Sequence, residues 1–227
     1  MPAAVFDLDG TLLRSSALDD RCFTAALISV YGDIFPTPID FGREPEFTDQ
    51  AIAYSLPTRA GATVTSDTVQ AHHDAFIAEM TSALRREPDS CPPIAGALQV
   101  LNALAEAGWG VAIATGSWRK SASLKLSASG LDAISIPVIT STDETERVGL
   151  VRRALSMLDA DPSECVCLGD GPWDGTTAQR VGGAFVGITG GGGDRGLLER
   201  HGAAAVLHDY SDTNESVATI AAALSKA

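Results

Sequence analysis

Short apolar runs recur along the chain, each followed by a turn and then by a stretch of different periodicity. The runs are Ala3 to Phe6, Gly110 to Ala114, Ile136 to Ile139, Cys165 to Leu168, Ala184 to Ile188 and Ala204 to Leu207. They are continuous and do not alternate with polar residues, the pattern of strands buried on both faces in a parallel sheet. Between them, apolar residues fall three and four positions apart, as in Ala97, Leu98, Val100, Leu101, Leu104 and Ala105. Val148, Leu150, Val151, Ala154, Leu155 and Leu158 repeat that helical spacing. Strand and helix alternating in this way predict an α/β fold with a doubly wound parallel sheet.

One region breaks the alternation. From Arg14 to Pro88 helical patterns occur, such as Phe23, Ala26, Leu27 and Val30, or Val69, His72, His73, Phe76, Ile77 and Met80. No buried strand is evident there, and Pro36, Pro38, Pro45 and Pro57 punctuate it. The expected organisation is a core domain from residues 1–13 and 89–227, with residues 14–88 inserted as a helical cap. The hinges are expected near Leu13–Arg14 and across Glu87 to Pro93, and the run Gly190 to Gly193 reads as a flexible connector.

In an open parallel sheet, ligands bind at the carboxyl ends of the strands. The notable polar residues fall there. Asp7 ends the first strand, and Asp9, Gly10 and Thr11 follow it. Thr115 ends the second, with Gly116 and Ser117 behind it, and Asp170 ends the fourth, with Asp174 in the next turn. Carboxylates crowded in this way repel unless a cation sits among them, and hard oxygen ligands suit Mg²⁺. A hydroxyl beside loop N–H groups suits a phosphate oxygen. One carboxylate can attack phosphorus, and a second can protonate the leaving oxygen and then deprotonate a water. Thr115 and Asp174 also suit plain helix caps.

Composition narrows the partners. Of 227 residues, 45% are hydrophobic and 20% charged, so a globular core is expected rather than disorder. The net charge of −13 opposes binding to nucleic acid, and no run approaches the roughly 20 apolar residues that span a bilayer. With no basic, apolar start to suggest a signal peptide, a soluble cytoplasmic protein acting on a small phosphorylated metabolite is expected. The scattered Cys22, Cys91, Cys165 and Cys167 read as buried free thiols. The sequence carries no sign of oligomeric state.

The residues Asp7-Leu8-Asp9-Gly10-Thr11 resemble the first signature of the haloacid dehalogenase superfamily. Thr115 is similar to its second signature, and Gly169-Asp170-Gly171-Pro172-Trp173-Asp174 to its fourth. The resemblance covers the whole chain and is strongest with the capped phosphatase branch, of phosphoglycolate phosphatase and beta-phosphoglucomutase type. It implies that Asp7 is the nucleophile and a Mg²⁺ ligand, and that Asp9 is the general acid/base with its carbonyl on the metal. It implies also that Thr115 and the Gly116 N–H bind the phosphoryl group, and that Asp170 and Asp174 hold Mg²⁺. An Asp at position 9 argues for phosphoryl transfer over dehalogenation.

The third signature departs from the family, which places a Lys before the helix leading to the fourth strand. Here Thr142 to Gly149 contains no Lys, and Arg147 is the cation expected in that role, with Lys120 as the substitute candidate. In the cap, Gly42-Arg43 is similar to a Gly-Arg pair of related hydrolases, which implies that Arg43 binds a distal anionic group. Trp118, Arg119 and Lys120 read as helix surface, Trp173 as packing over its own loop, and His72 and His73 as a cap helix pair. The expected activity is Mg²⁺-dependent hydrolysis of a small phosphomonoester through an aspartyl-phosphate on Asp7. A phosphomutase or a non-catalytic regulatory module would keep the same core, whereas a phosphonate hydrolase would need a cap Lys that residues 14–88 lack.

Overall fold

The computed structural model of the protein describes residues 1–36, 38–44 and 46–225, with the Arg43 side chain outside the described residues. Six parallel strands, β1 (Ala3–Phe6), β2 (Gly110–Ala114), β3 (Val138–Ile139), β4 (Cys165–Gly169), β5 (Ala184–Ile188) and β6 (Ala205–Leu207), form one sheet. Their order is β3-β2-β1-β4-β5-β6, so the chain winds outward from the centre in both directions, as the apolar runs predict. Ala3 lies in register with Gly110 on one side and Cys165 on the other, and β1, β2, β4 and β5 are buried along their whole length. The third run is shorter than expected: only Val138 and Ile139 pair with β2, because Pro137 offers no N–H to extend the ladder.

Helices α4 (Ala97–Glu106), α5 (Arg119–Ser129), α6 (Arg147–Leu158), α7 (Pro172–Val181), α8 (Arg195–Arg200) and α9 (Thr213–Leu224) cover the two faces of the sheet. Alternate strand residues point into two apolar clusters, Ala4 and Phe6 into one, Ala3 and Val5 into the other. Cys22, Cys91, Cys165 and Cys167 are buried free thiols, as expected. No helix among the described residues is long and apolar enough to cross a membrane.

Between β1 and α4 the chain forms three α-helices and no strand among the described residues: α1 (Ser16–Tyr31), α2 (Asp49–Arg59) and α3 (Ser66–Arg86). Thr48 caps α2 through its side chain, and Thr65 and Thr68 form a capping box on α3. The segments entering and leaving this insert lie side by side: Leu13 bridges to Pro93, and the Arg14 N–H donates to the Pro92 carbonyl at 2.9 Å. Pro57, expected as a loop marker, lies inside the last turns of α2.

Trp118 departs from the surface position expected of it. It is 2% exposed, stacked on Phe23 of α1 at 5.7 Å with His72 edge-on and Phe76 tilted against it, and its indole N–H donates to Gln50. A Trp at the start of α5 fills the seam between insert and core, which a one-helix reading of its surroundings cannot show. Arg119 and Lys120 are exposed, as expected.

Candidate active site

The loop after β1 places Asp7 at the carboxyl end of the central strand, where its N–H donates to the Leu168 carbonyl at 2.9 Å. The chain then turns sharply at Gly10, whose φ of +82° favours glycine. A Cβ there would also lie 1.9 Å from Asp170 Oδ2, so the turn and the close approach of Asp170 both require the missing side chain. Tyr210 fixes the next residue by donating its hydroxyl to the Thr11 carbonyl at 3.0 Å.

The glycine run beyond β5 belongs to this wall. A Cβ on Gly191 would meet the Gly10 carbonyl oxygen at 2.2 Å, and one on Gly193 would meet Ile188 O at 2.3 Å. Arg14 Nε donates to the Gly190 carbonyl at 2.9 Å. The expectation of a flexible connector is therefore corrected: the glycines allow two backbones to touch.

Asp7, Asp170 and Asp174 each present a carboxylate oxygen within 4.8 Å of the others, a donor set that could hold a divalent cation. Burial pushes the Asp7 carboxyl up to about 7, against the lowering pull of Arg147 and with the help of Asp174 and Asp9. Burial, then Asp174 and Asp7, hold Asp170 well above the usual carboxylate range. Three hard-oxygen donors in one place, kept from ionising fully chiefly by burial, fit a Mg²⁺ ion.

Arg147, the first residue of α6, reaches into the site and is 7% exposed. Its Nη2 donates to Asp7 Oδ1 at 3.2 Å and also to Asp174 Oδ1, while Nη1 donates to the Phe47 carbonyl at 3.1 Å. One guanidinium thus spans the nucleophile candidate, the first turn of α7 and the insert. Asp174 combines that contact with a capping bond, its Oδ2 accepting from the Gly171 N–H at 3.0 Å. Lys120 lies elsewhere, on a surface lined by His73, Asp74 and Arg85.

Thr115 does not cap α5, which begins four residues later; its Oγ1 accepts from the Ser117 N–H at 3.1 Å. Thr115 and Gly116 line the cavity with Asp7, Asp9, Asp170 and Arg147. Arg43 lies in a short turn, Phe41–Arg43, and its side chain lies outside the described residues. The cavity measures about 190 Å³ and is closed on the insert side by Phe23, Phe41, Phe47 and Ile52. Trp173 stacks flat on Phe47, 3.8 Å between centroids, so it bridges to the insert as well as covering its own loop.

Sequence reasoning missed Lys125. Its ammonium, fully buried, donates to Asp9 Oδ1 and Oδ2 at 2.7 Å each, to Asp19 Oδ1 at 2.5 Å and to Ser117 Oγ at 2.7 Å. Burial works against the ammonium, but Asp19 and Asp9 outweigh it and hold its proton firmly. Burial also opposes ionisation of Asp9, yet the charge of Lys125 and bonds from Lys125, Ser15 and Ser117 hold it below the usual range. Asp19 shares the same cation with fewer donors, and burial keeps it up at about 6. The available signal was positional: Lys125 falls on the stripe of α5 that buries Ser121, Ala122 and Leu126.

Comparison with known proteins agrees with this fold. Solved structures that superpose on the chain include a hydrolase from Pseudomonas syringae, 26% identical, with a TM-score of 0.79 over 97% of this chain and 100% of that one. A protein titled a predicted phosphoglycolate phosphatase from Haemophilus somnus 129PT is 19% identical, with a TM-score of 0.71 over 95% and 97%. One provisionally named beta-phosphoglucomutase, from Bacteroides vulgatus, is 20% identical, with a TM-score of 0.76 over 99% and 90%. No curated protein matches the sequence. The family model for haloacid dehalogenase-like hydrolases matches residues 1–182, a span holding every one of these site residues, and the chain belongs to that family.

Proposed function

We propose that the protein hydrolyses a small phosphomonoester through an aspartyl-phosphate on Asp7. The observation that supports it is the convergence of Asp7, Asp170 and the Arg147 guanidinium on one cavity that also holds Asp9 and Thr115, with Asp174 beside Asp7 and Asp170. A carboxylate oxygen of Asp7 attacks phosphorus as the bond to the ester oxygen breaks; Asp9, ionised in the free site, takes up a proton as the anionic substrate binds beside it and passes that proton to the departing oxygen. A water then attacks the phosphorus of the aspartyl-phosphate, gives its proton to the Asp9 carboxylate and releases phosphate with Asp7 restored. The Thr115 hydroxyl and the Gly116 backbone hold the transferring group, and Arg147 steadies Asp7 from the side.

Asp7, Asp170 and Asp174, with the Asp9 carbonyl, would hold Mg²⁺, which supplies positive charge against the phosphoryl oxygens and the crowded carboxylates. Removing divalent ions with a chelator is expected to abolish turnover, and Ca²⁺, with looser coordination, to restore it poorly. Binding can be read without activity. Protonation of Asp7 competes with the metal, and its carboxyl titrates at about 7. Mg²⁺ should therefore raise the melting temperature more at pH 8 than at pH 5.5, and equal shifts at both pH values would remove Asp7 from the ligand set.

Cavity size and charge limit the substrate. On the insert side the described lining adds Asp19 and Asp20 to three aromatic rings. A leaving alcohol that carries its own anion would face those carboxylates, so neutral or amine-bearing monoesters are expected to be preferred. A panel of phosphorylated metabolites with Mg²⁺ tests both points. Turnover confined to esters bearing a second carboxylate or phosphate would overturn the charge argument, and no turnover of any monoester would overturn the activity.

A further inference from the structure

The mechanism uses Asp9 but does not account for the lysine buried against it. Lys125 is fully enclosed and does not line the cavity, so it touches neither substrate nor solvent. Burying an ammonium is unfavourable unless partners surround it, and four oxygens do so here. They come from three segments besides α5: Asp9 after β1, Ser117 after β2 and Asp19 on α1 of the insert. A lysine that merely joined insert to core would need Asp19 alone. This one also grips both oxygens of Asp9 at equal distance, which fixes the plane of that carboxylate. Ser15 donates to Asp9 Oδ1 at 2.5 Å and Ser117 to Oδ2 at 2.8 Å, so each oxygen has a second donor and rotation of the group is opposed from both sides.

We propose that Lys125 is a positioning residue for Asp9, holding the acid/base carboxylate beside Asp7 and tying its orientation to the seating of α1 through Asp19. This rests on the phosphatase reading above. The role accounts for a charged side chain on the buried stripe of α5, where an apolar residue would pack at less cost. It also accounts for the three hydroxyl and ammonium donors aimed at one carboxylate that takes no part in metal binding by its side chain.

The test is a double-mutant cycle on kcat with p-nitrophenyl phosphate and Mg²⁺. Nitrophenolate leaves without a proton, so Asp9→Asn retains a measurable rate set by activation of the attacking water. Lys125→Met is expected to lower kcat by roughly 10- to 100-fold, with KM changed less than about threefold. In the Asp9→Asn background the same substitution is expected to cost less than about threefold, because the acid/base carboxylate that it positions is already gone. If Lys125→Met does not fold, Lys125→Met/Asp19→Asn, which removes opposite charges together, takes its place in the cycle with the same expectation. Losses that multiply undiminished in the Asp9→Asn background would overturn the proposal and leave Lys125 as a structural staple. An unchanged kcat in a folded variant would overturn it as well. A parent that is active, with Asp7→Asn inactive, keeps the phosphatase reading in either case; a parent that hydrolyses no monoester removes both.

Discussion

Asp7→Asn is expected to fold, to bind at least as stably as the parent at the seams around it, and to lose turnover by on the order of 10⁴-fold or more. The amide oxygen is a poor nucleophile and cannot form the acyl phosphate, so the loss should fall on kcat. The fold should persist because the amide still offers an oxygen to Arg147 Nη2, the contact that Asp7 Oδ1 makes at 3.2 Å. Stability gives an independent check. The Asp7 carboxyl is raised in the folded protein from an ordinary 3.8 to about 7. Its stabilising effect is therefore full at pH below about 4 and is lost as pH rises through about 7. The neutral amide does not titrate. Without divalent ions, the melting temperature of the variant relative to the parent should be higher at pH 8 than at pH 5. A folded variant with substantial phosphatase activity would rule out the covalent route.

Arg147→Ala carries the second large effect, on stability and activity together. The guanidinium is the cation bonded to both Asp7 and Asp174, and removing it leaves buried carboxylates facing one another. Breaking such a pair by deleting one partner typically costs about 3–5 kcal/mol. Protonation relieves the carboxylates, so the loss should be greater at pH 8 than at pH 5, as measured by chemical denaturation at both. Arg147→Lys keeps the charge but cannot also reach the Phe47 carbonyl with a separate donor, so it should recover stability better than turnover. Lys120→Ala, on an exposed surface, should lie within about 0.5 kcal/mol of the parent. An active Arg147→Ala with an inactive Lys120→Ala would reverse the assignment.

The strands and the carboxylates were legible because each depends on local pattern. A doubly buried strand needs an unbroken apolar run, and the loop after it must carry the polar residues that the crevice uses. Asp7, Asp9, Thr115 and Asp170 all follow such runs. Arg147 was legible only through the resemblance, as the cation standing where a lysine is usual. Lys125, Trp118 and the glycine run were misread or missed for one shared reason. Each is determined by an element distant in sequence: Lys125 by Asp9 and Asp19, Trp118 by Phe23 and Phe76, Gly191 by Gly10. In isolation a lysine on a helix reads as solvated and a run of glycines reads as slack. Their meaning comes from tertiary neighbours that periodicity does not encode.

The contact between Gly191 and Gly10 makes the cavity mechanically asymmetric. On the sheet side the loop carrying Asp7 and Asp9 is pressed against a second backbone, with no room for even a methyl group between them. Two further ties reach this loop from the carboxyl-terminal third of the chain, Tyr210 to Thr11 and Gly190 to Arg14. On the other side the walls are side chains of an insert held to the core by two adjacent connecting segments and by side-chain bonds from Lys125, Arg147 and Trp118. A substrate that needs a wider mouth must therefore get it from the insert, while the reacting carboxylates stay where the sheet puts them. The glycines act as an anvil: they give the loop carrying Asp7 a fixed surface to be held against.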